Sequence, residues 1–260
     1  MDILKKIIAY KKKELAEAVK NNPEENLRES PLFNREVLPL SDSILDSSKT
    51  GIIAEFKRKS PSKGIINSES DIERVAAGYC RCGASGISVL TDHKFFGGSS
   101  PDLSLARKAS KVPILRKDFI IDEYQIVEAR SIGADAILLI AAVLDKSRTL
   151  QLARFARSID LQVLLELHNI AEIDTINEFV NIVGVNNRDL GTFRVDTDIS
   201  IAMAEKIPQQ YVKISESGIT SPDVIRRLKE AGYNGFLIGG AFMESEDPVT
   251  SFSEFTKKIV

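Results

Sequence analysis

From Gly51 onward, short apolar and β-branched runs alternate with longer stretches whose apolar residues recur at helical spacing. The runs begin near Ile52, Gly86, Pro113, Ala136, Gln162, Ile182, Tyr211 and Gly235. Eight strands at about 26 residues per unit leave room in each for a strand, a loop and a helix of roughly three turns. The intervening stretches carry helix signals. Asp71 precedes Ile-Glu-Arg-Val, Asp122 precedes Glu-Tyr-Gln-Ile-Val, and Ser221 with Pro222 opens a segment that stops at Gly232. Such alternation implies parallel strands. Eight units exceed the usual open doubly wound sheet and match the closed (β/α)8 TIM barrel in number and length. The chain therefore reads as one α/β barrel domain over residues 1–260. The first fifty residues differ, with a charged amphipathic helix and then proline and polar punctuation but no strand-like run, and residues 1–48 read as an N-terminal helical extension.

Composition narrows the class. With 43% hydrophobic residues the chain can bury a large core, so disorder is excluded. Thirty-five Lys and Arg against 37 Asp and Glu leave a net charge of −2, so no overall field favours nucleic acid or an anionic membrane. The longest apolar run, Ala136 to Leu144, is nine residues, about half of the roughly 18 needed to cross a bilayer. The N-terminus lacks an apolar signal region, so the cytoplasm is the expected compartment. Cys80 and Cys82 lie two apart in a helical stretch, where their side chains diverge, and read as helix-packing residues. His93 and His168 cannot by themselves build a histidine-rich metal site. Neither G-x-G-x-x-G opening a first helix nor G-x-x-x-x-G-K-[ST] occurs, and the expectation is an enzyme with no cofactor and no metal.

Barrel chemistry sits at the carboxyl ends of the strands, so the residues there carry the functional reading. Strand one places Glu55 and Lys57 two apart, on one face. Two charges facing a barrel interior are costly unless paired or used. Strand three ends at Lys117 and Asp118, a lysine beside a carboxylate, suited to a general acid or a phosphate partner. Strand five surrounds Glu166 with apolar residues. Strand six offers Asn186 and the planar fork of Arg188. Strands seven and eight end in Ser215-Glu-Ser-Gly-Ile219 and Phe236-Leu-Ile-Gly-Gly-Ala241, where many barrels bind phosphate through backbone N–H groups. Gly97-Gly-Ser-Ser100 reads as the start of the next helix. Together these residues suit proton-transfer chemistry on a phosphosugar.

At these residues the chain closely resembles the indole-3-glycerol phosphate synthase family, over nearly its whole length. IIAEFKRKSPSKG (52–64), ILRKDFI (114–120), GVNNRDL (184–190), SESGI (215–219) and FLIGGAFM (236–243) resemble the family's signatures on strands one, three, six, seven and eight. The resemblance implies closure of 1-(2-carboxyphenylamino)-1-deoxyribulose 5-phosphate to indole-3-glycerol phosphate, with loss of CO2 and water and without a cofactor. It implies Lys117 as the general acid on the substrate carbonyl and Glu166 as its partner in proton transfer. Glu55 and Lys57 would act in the later dehydration, with Lys57 also near the phosphate. Ser60 and Arg188 match positions that meet the substrate carboxylate, and Asn186 and Glu216 match polar residues of the pocket. Ser217, Gly218, Gly239 and Gly240 match the phosphate cradle, and Phe96, Phe119, Leu190 and Leu237 the apolar wall around the aromatic ring. The extension over residues 1–48 would help to cover the substrate.

The partners expected are a small phosphorylated substrate, no nucleic acid and no membrane. A monomer is expected, and association with other tryptophan-pathway enzymes stays open. Three other readings compete: a Schiff-base aldolase using Lys57, Lys117 or Lys213, a glycosidase using two of Glu55, Glu166 and Glu216, and a non-catalytic barrel that binds a phosphorylated metabolite. The absence of Trp, the usual sugar-stacking platform, lowers the second, and the retained mouth charges lower the third.

Overall fold

The computed structural model describes residues 3–259; the first two residues of the expected extension and residue 260 of the expected domain lie outside them. Eight parallel strands close on themselves: β1 (Ile52–Phe56), β2 (Gly86–Leu90), β3 (Ile114–Lys117), β4 (Ala136–Ile140), β5 (Gln162–Leu167), β6 (Ile182–Asn186), β7 (Val212–Glu216) and β8 (Gly235–Ile238). β1 pairs with β2 on one side and β8 on the other, which closes the (β/α)8 barrel and leaves no free edge. All eight runs seen in the sequence are strands. Two start one residue late, because Pro113 has no N–H for the ladder and Tyr211 still belongs to the preceding turn.

The helices of the chain are α1 (Ile3–Asn21), α2 (Glu24–Arg28), α3 (Leu40–Leu45), α4 (Ile72–Arg81), α5 (His93–Phe96), α6 (Ser100–Ala109), α7 (Glu123–Ser131), α8 (Lys146–Ser158), α9 (Asp198–Ala204), α10 (Pro222–Glu230), α11 (Gly240–Met243) and α12 (Pro248–Thr256). Many start where the sequence signals put them. Asp71, Ser99 and Asp122 each accept an N-cap bond, and Asp122 forms a capping box with Gln125. Ser221 occupies the cap position of α10 without a side-chain cap bond, so Pro222 at the first turn is the stronger local signal there. After β5 the crossover is a single 3-10 segment, Ile170–Thr175, and after β1 a short antiparallel pair (Lys59–Ser60 with Gly64–Ile65) folds over the barrel mouth. Among the described residues no helix is long and apolar enough to cross a membrane.

The two-residue period of the strands sorts their side chains. Ile52, Ala54, Val89, Ile114, Val163, Leu165 and Val183 face outward into the layer shared with the helices. Ile53, Leu115, Leu138, Leu164, Ile182, Ile214 and Leu237 fill the barrel interior. Leu40 and Ile44 of α3 join that interior cluster from the end where the strands begin. Ser41 N–H donates to Gln162 Oε1 at 2.8 Å, and Ser43 Oγ donates to the Ser85 carbonyl at 2.5 Å. α1 lies at the opposite end. Its Ile3, Leu4 and Ile7 line the cavity above the strand termini, and its buried Lys11 lies 3.0 Å from Asp92 Oδ2 and 2.9 Å from Asp118 Oδ1. Residues 3–48 thus supply a plug at one end of the barrel and a wall at the other.

Candidate active site

Four charged side chains at the mouth each stand two residues beyond an interior apolar one, and so point the same way one layer higher. Glu55 follows Ile53, Lys117 follows Leu115, Glu166 follows Leu164, and Glu216 follows Ile214. The strands thereby lift a ring of ionisable groups from a floor of hydrocarbon into a cavity of about 540 Å³. Volumes of this order are usual for small-molecule sites. The residues singled out from the sequence all line it: Glu55, Lys57, Ser60, Phe96, Lys117, Phe119, Glu166, Asn186, Arg188, Leu190, Glu216, Ser217, Gly218, Leu237, Gly239 and Gly240.

Lys117 is the hub. Its Nζ donates to Glu166 Oε2 at 2.9 Å and lies 3.1 Å from Glu216 Oε2. Burial opposes the charge on Lys117, but the nearby carboxylates Glu166, Glu216 and Glu55 outweigh it and hold the amine protonated far above the usual lysine range. Burial likewise works against ionised Glu166. The Lys117 charge, helped by His168, reverses that and keeps this carboxyl well below the ordinary range. Glu216 goes the other way: burial and the neighbouring Glu166 push it up to about 8, against the pull of Lys117. One ionised and one protonated carboxyl thus share one ammonium, a pair of like groups separated into base and acid by their surroundings.

Asp118, adjacent to Lys117 in sequence, is not its partner. Consecutive strand residues face opposite ways, and Asp118 turns outward to Lys11, to Thr91 Oγ1 at 2.5 Å and to Arg116 Nη2 at 3.3 Å. The lysine–carboxylate pairing expected within Lys117-Asp118 is therefore replaced by pairing across the barrel.

Lys57, one residue past β1, forms an ion pair through Nζ with Glu55 Oε1 of that strand. On β6, the Asn186 side-chain oxygen accepts from Arg188 N–H at 3.0 Å, and Arg188 Nη1 donates to the Phe193 carbonyl at 3.2 Å, which holds the guanidinium at the rim. Ser60 Oγ accepts from Lys63 N–H at 3.2 Å inside the 59–65 hairpin. Arg58 anchors that hairpin through a two-pronged bond to Asp102 at 2.7 and 2.9 Å. Phe96 and Phe119 pack with ring centroids 5.9 Å apart and form one apolar side of the cavity.

The glycine-bearing loops have specific backbones. Ser217 and Gly218 follow one another at φ 67° and 76°, a left-handed pair that strains the serine and suits the glycine. At Gly239 a Cβ would fall 2.3 Å from Glu55 Oε1, so only glycine lets this strand end run beside the β1 carboxylate. Lys213, the alternative Schiff-base lysine, sits at the start of β7 and donates to the Ala204 carbonyl at 3.1 Å, away from the mouth.

Two participants were not singled out from the sequence, Lys11 and His168. The first looked like one more charge on an amphipathic helix. The second could have been found by extending the inward period of β5 one step past Glu166.

An enclosed, apolar-walled barrel mouth with an ammonium held between carboxyls defines a (β/α)8-barrel enzyme that moves protons on a small anionic substrate. Solved structures support the architecture: 3-hexulose-6-phosphate synthase superposes with a TM-score of 0.63 at 17% identity, covering 80% of this chain and 99% of that one. Thiamine phosphate pyrophosphorylase from Pyrococcus furiosus gives 0.57 at 14%, covering 85% and 98%. The family is given by sequence: the indole-3-glycerol phosphate synthase family model matches residues 4–255, and the chain belongs to that family. The indole-3-glycerol phosphate synthase of Bacteroides thetaiotaomicron is 47% identical over 99% of both chains, and that of Polaromonas naphthalenivorans 40% identical over 97% of this chain and 98% of its own.

Proposed function

We propose that the cavity converts 1-(2-carboxyphenylamino)-1-deoxyribulose 5-phosphate to indole-3-glycerol phosphate, CO2 and water, the decarboxylating-lyase step of tryptophan biosynthesis. The observation that carries the residue roles is the Lys117 ammonium held between Glu166 and Glu216 on a hydrocarbon floor. Ring closure needs a donor at the substrate carbonyl. A lysine held so firmly protonated polarises that oxygen at first, and yields its proton as the far more basic alkoxide develops. Loss of CO2 from the ring carbon that has attacked the carbonyl then restores aromaticity, the C–C bond to the carboxylate returning its electron pair to the ring. Dehydration follows, in which the new hydroxyl leaves as water and a proton leaves the ring nitrogen or carbon. Ionised Glu166 accepts and returns protons beside Lys117. Glu55 and Lys57, paired at the end of β1, act at the dehydration stage, with Asn186 and Glu216 beside the reacting centre.

Binding follows the chemistry of the walls. The substrate carboxylate meets Ser60 and Arg188, whose planar donors suit it. The phosphate lies against Ser217, Gly218, Gly239 and Gly240 with Lys57 nearby, and the aromatic ring sits between Phe96, Phe119, Leu190 and Leu237. A low-dielectric wall strengthens the charges beside it. One barrel domain over residues 1–260 carries the reaction, with the extension over residues 1–48 covering the substrate side through α1. The chain works in the cytoplasm, a reading supported by its membership of a biosynthetic family, and as a monomer, which sedimentation of the purified protein tests. The reaction is tested by following indole fluorescence on the named substrate without added metal or cofactor. Turnover is expected, and binding without turnover would leave a metabolite-binding barrel instead.

A further inference from the structure

Glu166 has two carboxylate oxygens, and each faces a different cation. Oε2 receives Lys117 at 2.9 Å, while Oε1 lies 3.3 Å from Nε2 of His168. His168 stands two residues beyond Glu166, and so on the same inward side of the chain as it leaves β5. Its ring is buried, and neither nitrogen makes a well-aligned hydrogen bond within the protein. Behind it stands Glu172, in the 3-10 segment that replaces the usual crossover helix. Glu172 Oε2 is 3.8 Å from His168 Nδ1 and accepts the His168 backbone N–H at 2.7 Å. A buried imidazole between two carboxylates is costly unless it is charged or held for a purpose.

The purpose follows from what Lys117 has to do. It is shared between Glu166 and Glu216, and in the reaction it must turn its proton toward the substrate carbonyl. At that moment Glu166 loses its main counter-charge inside a hydrocarbon-floored cavity, and the elevated Glu216 beside it offers none. We propose that His168 is the positioning residue that keeps Glu166 oriented and ionised while Lys117 engages the substrate, with Glu172 fixing the ring from behind. This rests on the role given to Glu166 above. His168 acts through Glu166, and no contact of its own with substrate is required.

The groups that face this pair are Lys117 from β3, Glu216 from β7, Glu172 from the 3-10 segment and Asp189 from the loop after β6, with Glu55 of β1 acting on Lys117. Burial opposes a charged His168, but the carboxylates of Glu166 and Glu172 on either side of the ring raise it to about 9. The imidazolium is therefore present at neutral pH and lost as pH rises through that value.

The test is the pH dependence of kcat and kcat/KM for wild type, His168→Phe, Glu172→Gln and Glu166→Gln. In His168→Phe, kcat should fall about tenfold at pH 7 with KM within about twofold. The acid limb should move up by about one pH unit, because Glu166 protonates more readily. The gap between wild type and His168→Phe should narrow above about pH 9, where the wild-type imidazole also loses its charge. Glu172→Gln, at the edge of the site, should move the same limb in the same direction by less, and serves if the phenylalanine variant does not fold. Adding His168→Phe to Glu166→Gln should cost nothing further, since the two act as one unit. An unmoved acid limb in both His168→Phe and Glu172→Gln, or an undiminished loss in the Glu166→Gln background, would overturn the proposal and leave Glu166 standing. Near-normal turnover of Glu166→Gln would overturn the Glu166 role itself, and this inference with it.

Discussion

Replacing Lys11 by methionine keeps the length and apolar stem of the side chain and removes one buried charge. In the native protein that charge lies 2.9 Å from Asp118 Oδ1 and 3.0 Å from Asp92 Oδ2, and both carboxylates are buried. Burial opposes the ammonium, but Asp118 and Asp92 together hold it firmly protonated. Breaking a buried pair by removing one partner typically costs about 3–5 kcal/mol, because the remaining charge has nowhere to go. Asp118 keeps Thr91, Arg116 and its own bond from Phe119 N–H. Asp92 keeps only the Phe95 N–H on its other oxygen. The loss therefore belongs near the lower end, about 3 kcal/mol, which for a domain of this size lowers Tm by about 6–12 °C. The same change should loosen α1, whose Ile3, Leu4 and Ile7 line the cavity, so KM should rise more than kcat falls. Thermal unfolding followed by circular dichroism, beside steady-state indole fluorescence, reads both effects. A Tm within about 2 °C of wild type together with an unchanged KM would refute the view that Lys11 pins α1 over the site.

Leu40→Ala removes a fully buried side chain from the plug at the far end of the barrel. It should cost about 2–5 kcal/mol in denaturant unfolding and leave kcat unchanged in the folded protein. Gly239→Ala places a Cβ 2.3 Å from Glu55 Oε1; displacing that carboxylate should lower kcat and raise the concentration of inorganic phosphate needed to stabilise the protein in a thermal shift assay. Glu216→Gln should tilt the pH dependence of stability. The native carboxyl titrates at about 8, above its value of 4.5 in the unfolded chain, so its contribution is full below 4.5 and is lost as pH rises through 8. The Tm of Glu216→Gln relative to wild type should accordingly increase from pH 5 to pH 8, and a constant difference would contradict the assignment.

The barrel was legible because its signals are local. Runs such as Gln162–Leu167 and Ala136–Ile140 are apolar on both faces, as strands between a filled barrel and a helix layer must be. Glu55 and Glu166 stood out because a charge within such a run has no cheap explanation, whereas Glu216 entered as a spare carboxylate and through the family resemblance. The exceptions were long-range. Nothing local says that Lys11 of an apparently solvated helix crosses to Asp92 and Asp118, a pairing over more than eighty positions made only when α1 docks. Asp118 was misread for the converse reason: its sequence neighbour Lys117 lies on the other side of the strand. α3 was equally hidden, since Leu40 and Ile44 resemble any amphipathic turn until the barrel end offers them a hole. His168 was within reach of the strand period but was not singled out, and its significance depends on Glu172, which a 3-10 segment brings close behind it.

The central claim is that the Lys117 ammonium, held between Glu166 and Glu216, delivers the proton on which ring closure depends. The most direct measurement is single-turnover indole formation by Lys117→Met beside wild type, on enzyme whose binding of the substrate is checked by titration. The account requires a loss of at least about a hundredfold in the rate of ring closure with binding retained, as for removal of a positioned acid. A ring-closure rate within a few-fold of wild type would contradict it and move the proton donor elsewhere in the cavity.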